Sequence, residues 1–211
     1  MMMPNYTKAA VSAAETLIRH GVTHFPLSPL PILEKIVTVM SFADLSESTG
    51  IRRSELLPVF GQNQDAFVSV CDGVYVVAYN ALLPFTMVQK ALAREMGHIV
   101  LGHKDHSDEN NAEAMCFAYH LLCPRPLIHA MQASCLRVST DLIANLTGMF
   151  DQSITAMRRI PRTNVPPHIN RFIRNQIMPF VLNFFEFYQN TLPLDGSAVA
   201  DLGTYMDGYK E

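Results

Sequence analysis

The stretch "ALAREMGHIVLGH", from Ala91 to His103, decides how this chain is read. Arg94-Glu95-Met96-Gly97-His98 is one residue short of H-E-x-x-H. In that signature two histidines one helical turn apart share a face and hold a zinc ion, and the glutamate between them acts on a water in the open coordination position. Here Glu95 and His98 stand where the signature needs them, and Arg94 stands where the first histidine should be. A guanidinium stays protonated at ordinary pH and has no lone pair for a metal. E-x-x-H alone occurs by chance in many helices, so the surroundings decide what it means.

Outward from the motif, Val88, Leu92, Glu95 and Ile99 recur every three or four residues, which predicts a helix from Pro84 to Gly102 with Gly102 as its stop. Upstream, Ala66 to Cys71 and Val74 to Asn80 alternate in β-rich fashion around Asp72-Gly73, the pattern of a two-residue hairpin. Val37 to Phe42 reads as a third short strand. Downstream, "HKDHSDENN" is a polar connection, and Ala112 to Leu122 is a helix stopped by Cys123-Pro124-Arg125-Pro126.

The order of these segments resembles the ImmA/IrrE family of metallo-endopeptidases. Members of that family carry a strand with Tyr-Asn, then A-H-E-L-G-H-x-x-L-x-H, then E-A-x-x-F-A-x-x-L-L-x-P and F-x-V-S-x-x-A-x-x-x-R-L. Matching residues are Ala93, Glu95, Gly97, His98, Leu101 and His103; Glu113, Ala114, Phe117, Ala118, Leu121, Leu122 and Pro124; and Phe150, Ser153, Ala156 and Arg159. The resemblance covers roughly residues 7 to 160. It implies a zincin-like fold, Glu95 as general base, His98 and Glu113 as zinc ligands, and zinc-assisted hydrolysis of a peptide bond. It also implies a protein partner, commonly a helix-turn-helix repressor whose cleavage releases phage, mobile-element or stress genes.

Arg94 departs from that pattern and removes one of the three protein ligands a catalytic zinc normally takes. His103 lies about half a turn out of phase with Arg94 on a continuous helix, so it becomes a substitute ligand only if the helix ends at Gly102 and the chain folds back. His106, in the polar connection, is the other candidate. His120 shares a face with Glu113 but lies ~10 Å further along the axis. Without a metal, Glu95 and Glu113 would face one pocket uncompensated, and Arg94 can supply the missing charge by bonding one of them in bidentate fashion. Three functions stay open: a peptidase homologue with a degenerate metal site, an active zinc endopeptidase with a substitute ligand, and a catalytically inactive protein-binding module.

The rest of the chain sets the frame. At 211 residues, 49% hydrophobic and 17% charged, it is a globular sequence able to bury a core. The net charge of −3, with no basic block, argues against direct nucleic-acid binding. No apolar run reaches the length of a signal peptide or a membrane span. Cys71, Cys116, Cys123 and Cys135 form no C-x-x-C pair, and free thiols in a reducing cytoplasm are the simplest account.

The expected architecture is α+β, mostly helical, with a small sheet of about three strands. Residues 1–125 form a metallopeptidase-type domain, 126–165 a helical segment and 166–211 an aromatic C-terminal helix and tail. Thr7 to His20 is an amphipathic helix stopped by Gly21, and Ser28 caps a second helix whose first residue is Pro29. "SESTGIRRSE" is a loop entering a helical turn. Residues 126 to 160 read as three short helices with a turn near Gly148 to Gln152. They resemble a helix-turn-helix, but neither helix presents a dense basic face, which favours a packed α-hairpin. Ile169, Phe172, Ile173, Ile177, Phe180, Val181, Phe184, Phe185 and Tyr188 form one stripe, which Pro179 should kink or split, ahead of a loosely ordered tail from Asn190.

Overall fold

A computed structural model describes residues 3–52, 54–55, 65–71, 74–134 and 138–191, with backbone alone at Cys71 and 188–191. Among these, the helices are α1 (Tyr6–Arg19), α2 (Leu30–Leu33), α3 (Phe42–Thr49), α4 (Phe85–Leu101), α5 (Asp108–Leu122), α6 (Arg125–Ser134), α7 (Thr140–Thr147), α8 (Asp151–Met157) and α9 (Pro167–Thr191). The strands are β1 (Thr38–Ser41), β2 (Ala66–Cys71) and β3 (Val74–Tyr79). The fold is therefore α+β, mostly helical, with one small mixed sheet. No helix among the described residues is long and apolar enough to cross a membrane.

The chain divides into two compact units, one built on residues 28–118 and the other on residues 5–27 with 119 onward. In the first, β3 lies at the centre of the sheet, parallel to β1 and antiparallel to β2, with Thr38 opposite Val76 and Ala66 opposite Tyr79. The alternating segments that predict the hairpin form it; its turn, Asp72-Gly73, lies outside the described residues. The motif helix α4 packs on β2 and β3. Leu92, Ala93 and Met96 of α4 are fully buried, with Phe42, Val77 and Phe117. Each large side chain so buried contributes about 2 kcal/mol of apolar transfer.

In the second unit, α9 packs on α6 and α1. The three short helices expected between residues 126 and 160 are α6, α7 and α8. The stripe on α9 is narrower than the sequence suggests: Ile173, Ile177, Val181 and Phe185 are buried, while Phe172 is 54% exposed. Positions 173, 177, 181 and 185 lie on one face and meet the core, and Phe180 beside them packs its ring near buried Phe25. Of the kink or split expected at Pro179, the split does not occur: the helix runs through Pro179 as one element. Tyr188's side chain and the tail beyond Thr191 lie outside the described residues.

Three further expectations are corrected. The start of "SESTGIRRSE" is helical, because Ser41 and Asp44 close a capping box and Gly50 ends α3 with a left-handed φ of 71°. Pro29, not Ser28, is the N-cap of α2, and no side chain caps it. The polar connection after α4 is shorter than expected, since α5 begins at Asp108. Asp108 and Glu109 lie in its first turn, where carboxylates suit the helix dipole.

Candidate functional site

The site belongs to the first unit and is organised by two glycines. Gly97 lets α5 come against α4: a Cβ at position 97 would stand 2.9 Å from the Ala114 carbonyl oxygen and 3.0 Å from its Cα. That close approach sets Glu113, the neighbour of Ala114, beside the motif. Gly102 ends α4 with φ 73°, and the His103 N–H donates to the His98 carbonyl at 3.0 Å. The chain thereby folds back. His103 Nδ1 comes within 3.1 Å of His98 Nδ1, and His103 Nε2 within 3.2 Å of Glu113 Oε2. The ring of His106 stands edge-on to His98, centroids 4.6 Å apart. His98, His103, His106 and Glu113 thus form one cluster.

Arg94 and Glu95 form a second cluster with a residue the sequence reading missed, Asp65. The Arg94 Nε donates to Glu95 Oε1 at 2.8 Å, and one terminal nitrogen lies 2.7 Å from the same oxygen. The guanidinium also bonds both carboxylate oxygens of Asp65, at 3.0 and 3.4 Å, and the Ala66 carbonyl at 2.9 Å. Its fork therefore grips Asp65, whereas Glu113 goes to His103. Asp65 is oriented in turn by accepting the Ala66 N–H at 2.9 Å.

Burial sets the electrostatics. Glu95 is fully buried, and burial pushes its carboxyl up to about 7 against the opposing pull of the Arg94 charge and hydrogen bond. Burial opposes the charge on Arg94, yet Glu95 and Asp65 outweigh that penalty and hold the guanidinium above its ordinary value. His98, 2% exposed, is pushed down to about 3 by burial and by the positive fields of His106, His103 and Arg94. It is a neutral imidazole throughout the physiological range. Glu95 Oε2 and His98 Nε2 are buried without a hydrogen-bond partner.

Those two bare atoms are ones a peptidase zinc site would use. The rest of the set does not fit it. Position 94 supplies a guanidinium bonded to the glutamate, and Glu113 is engaged by His103. Among the described residues no three His, Cys, Asp or Glu side chains stand ready to hold a metal ion. His120 meets Thr163 Oγ1 at 3.4 Å in the second unit, and the carboxylates Asp141 and Asp151 are exposed in the first turns of α7 and α8. Cys116 and Cys123 are buried thiols. Compared with models of protein families, with curated proteins and with solved structures, the chain matches none.

Proposed function

We propose that this chain is a homologue of the ImmA/IrrE metallo-endopeptidases whose catalytic centre has become an internal ion pair. In this reading the fold is zincin-like, and the protein acts in the cytoplasm on a helix-turn-helix repressor of phage, mobile-element or stress genes. It grips the repressor without cutting it and touches neither nucleic acid nor membrane. Support comes from the joint spacing of Glu95, His98 and Glu113 and from the order of hairpin, motif helix and acidic helix. The observation that carries the reading is the Arg94 guanidinium, 13% exposed and bonded to Glu95 and Asp65. A covalently tethered cation there neutralises the glutamate that would otherwise act on water.

The test pairs the full chain with helix-turn-helix repressors in zinc-supplemented buffer. Retention of an intact repressor, unaffected by Glu95→Gln, is the expected result. Cleavage that Glu95→Gln abolishes would replace this reading with the active endopeptidase, which the return of His103 to His98 and Glu113 favours. Neither retention nor cleavage would end both.

A further inference from the structure

Strand β2 ends the sheet on one side among the described residues, with β3 as its neighbour. The register says which of its backbone groups face outward. The Asn80 N–H donates to the Asp65 carbonyl at 2.8 Å, and Ala66 stands opposite Tyr79. In an antiparallel ladder hydrogen-bonded pairs alternate with pairs that make no bond. Positions 65, 67 and 69 therefore turn their peptide groups to β3, and Ala66, Val68 and Val70 turn theirs away. Such an outward row is a template for another strand. Charged residues or proline commonly blunt it, and "AFVSVC", from Ala66 to Cys71, has neither.

Side chains take the outward groups at the start of β2 instead. The Ala66 N–H donates to Asp65 Oδ1 at 2.9 Å, and the Ala66 carbonyl accepts from the Arg94 guanidinium at 2.9 Å. The Val68 N–H is turned to the Glu95 carboxylate and favours its charge. A donor on the carbonyl of residue 66 and an acceptor at the N–H of residue 68 are what one residue of a parallel neighbouring strand supplies. Arg94 and Glu95 are adjacent on α4 and bonded to each other, so they reproduce that residue as one unit. Their side chains are 13% and 0% exposed, so little water competes for these places.

We propose that Arg94 and Glu95 guard the edge of β2: together they occupy the place of a neighbouring strand and keep the β2 edges of two copies of this chain from pairing. A second copy is the partner excluded, because an uncharged, proline-free strand is complementary to itself. The role is separate from the neutralising of Glu95 and holds whether or not the repressor reading does.

Two measurements on the full chain test this. In the parent, amide exchange followed by NMR should be about tenfold slower at Val68 than at Val70, the next outward-facing residue of the same strand. Equal rates overturn the proposal, and this comparison needs no variant. The second measurement uses Arg94→Met/Glu95→Leu, which removes both partners and leaves no charge buried on α4, an exchange that folded proteins commonly tolerate. Light scattering on a size-exclusion column should show this variant associating as its concentration rises. Adding Val70→Lys, which sets a charge on the exposed part of the edge, should restore the parent's size. Gly97→Ala strains the contact between α4 and α5 but leaves the edge covered, and it should keep the parent's size. A double variant that folds and keeps the parent's size overturns the proposal. So does association that Val70→Lys leaves unchanged, or that Gly97→Ala shows equally, since either would trace it to another surface or to lost stability alone.

Discussion

Arg94 and Asp65, 29 residues apart in sequence, meet at 3.0 Å, and the same guanidinium holds Glu95. One cation thus joins the foot of β2 to the motif helix. Removing it leaves a fully buried carboxyl and a partly buried one without their partner. Breaking such a pair from one side costs about 3–5 kcal/mol in a dry interior, and less where solvent reaches Asp65. Arg94→Ala should therefore lower unfolding free energy by about 2–4 kcal/mol in urea denaturation. Asp65→Asn should cost less and show a coupling of at least ~1 kcal/mol with Arg94→Ala in a double-mutant cycle. Additive effects would mean that the pair carries no stability.

Gly97 fixes the distance between α4 and α5. A methyl group there meets backbone, the Ala114 oxygen and Cα, which cannot rotate away. The helices must part, at about 1–3 kcal/mol for an overpacked contact. Gly97→Ala should lower the melting temperature although alanine has the higher helix propensity. An unchanged or raised melting temperature would show that the two helices yield at this point without cost.

Much of this site was legible in the sequence, for reasons tied to particular residues. Gly102 signals a helix stop, and a stop there is the one condition under which His103 returns to His98; both follow from local backbone chemistry. The hairpin is equally local. Asp65 left no signal, because its partner lies in another element and neither helical nor strand periodicity marks a lone carboxylate before a strand. α3 was missed because the serines and threonine that suggest a loop lie inside a helix capped by Ser41 and Asp44. The zincin-like arrangement is what the ImmA/IrrE resemblance implies.

His120 provides a pH test in the second unit. Burial, and then the charge of Arg125, hold it down to about 4 from an ordinary 6.5. The unfolded chain binds that proton below about 6.5, and the folded chain only below about 4. Between these values the unfolded state carries more protons, so stability falls as pH falls from 6.5 to 4 and is flat in this group outside that window. The full shift corresponds to about 3 kcal/mol at most. Urea melts at pH 7 and 4.5 should show that His120→Gln, which keeps a polar partner for Thr163, loses less stability on acidification than the parent chain. Equal losses would place the acid sensitivity elsewhere.

The last prediction concerns Arg94→His. A histidine at 94 shares a helix face with His98, removes the guanidinium from Glu95 and meets the bare Nε2 of His98 as a possible co-ligand. Both forms are loaded with zinc, dialysed and measured by atomic spectrometry. The parent chain should keep little, since a guanidinium bonded to Glu95 stands at the first ligand position and Glu113 is engaged by His103. The variant should keep about one zinc per chain, as a completed His-His-Glu set does. In the variant, adding His103→Ala frees Glu113 and should leave zinc retention intact or improved. One zinc retained by the parent chain would show that Arg94 is no obstacle. None retained by Arg94→His/His103→Ala would show that α4 and Glu113 no longer frame a peptidase site, and the ImmA/IrrE reading of the centre would fall with it.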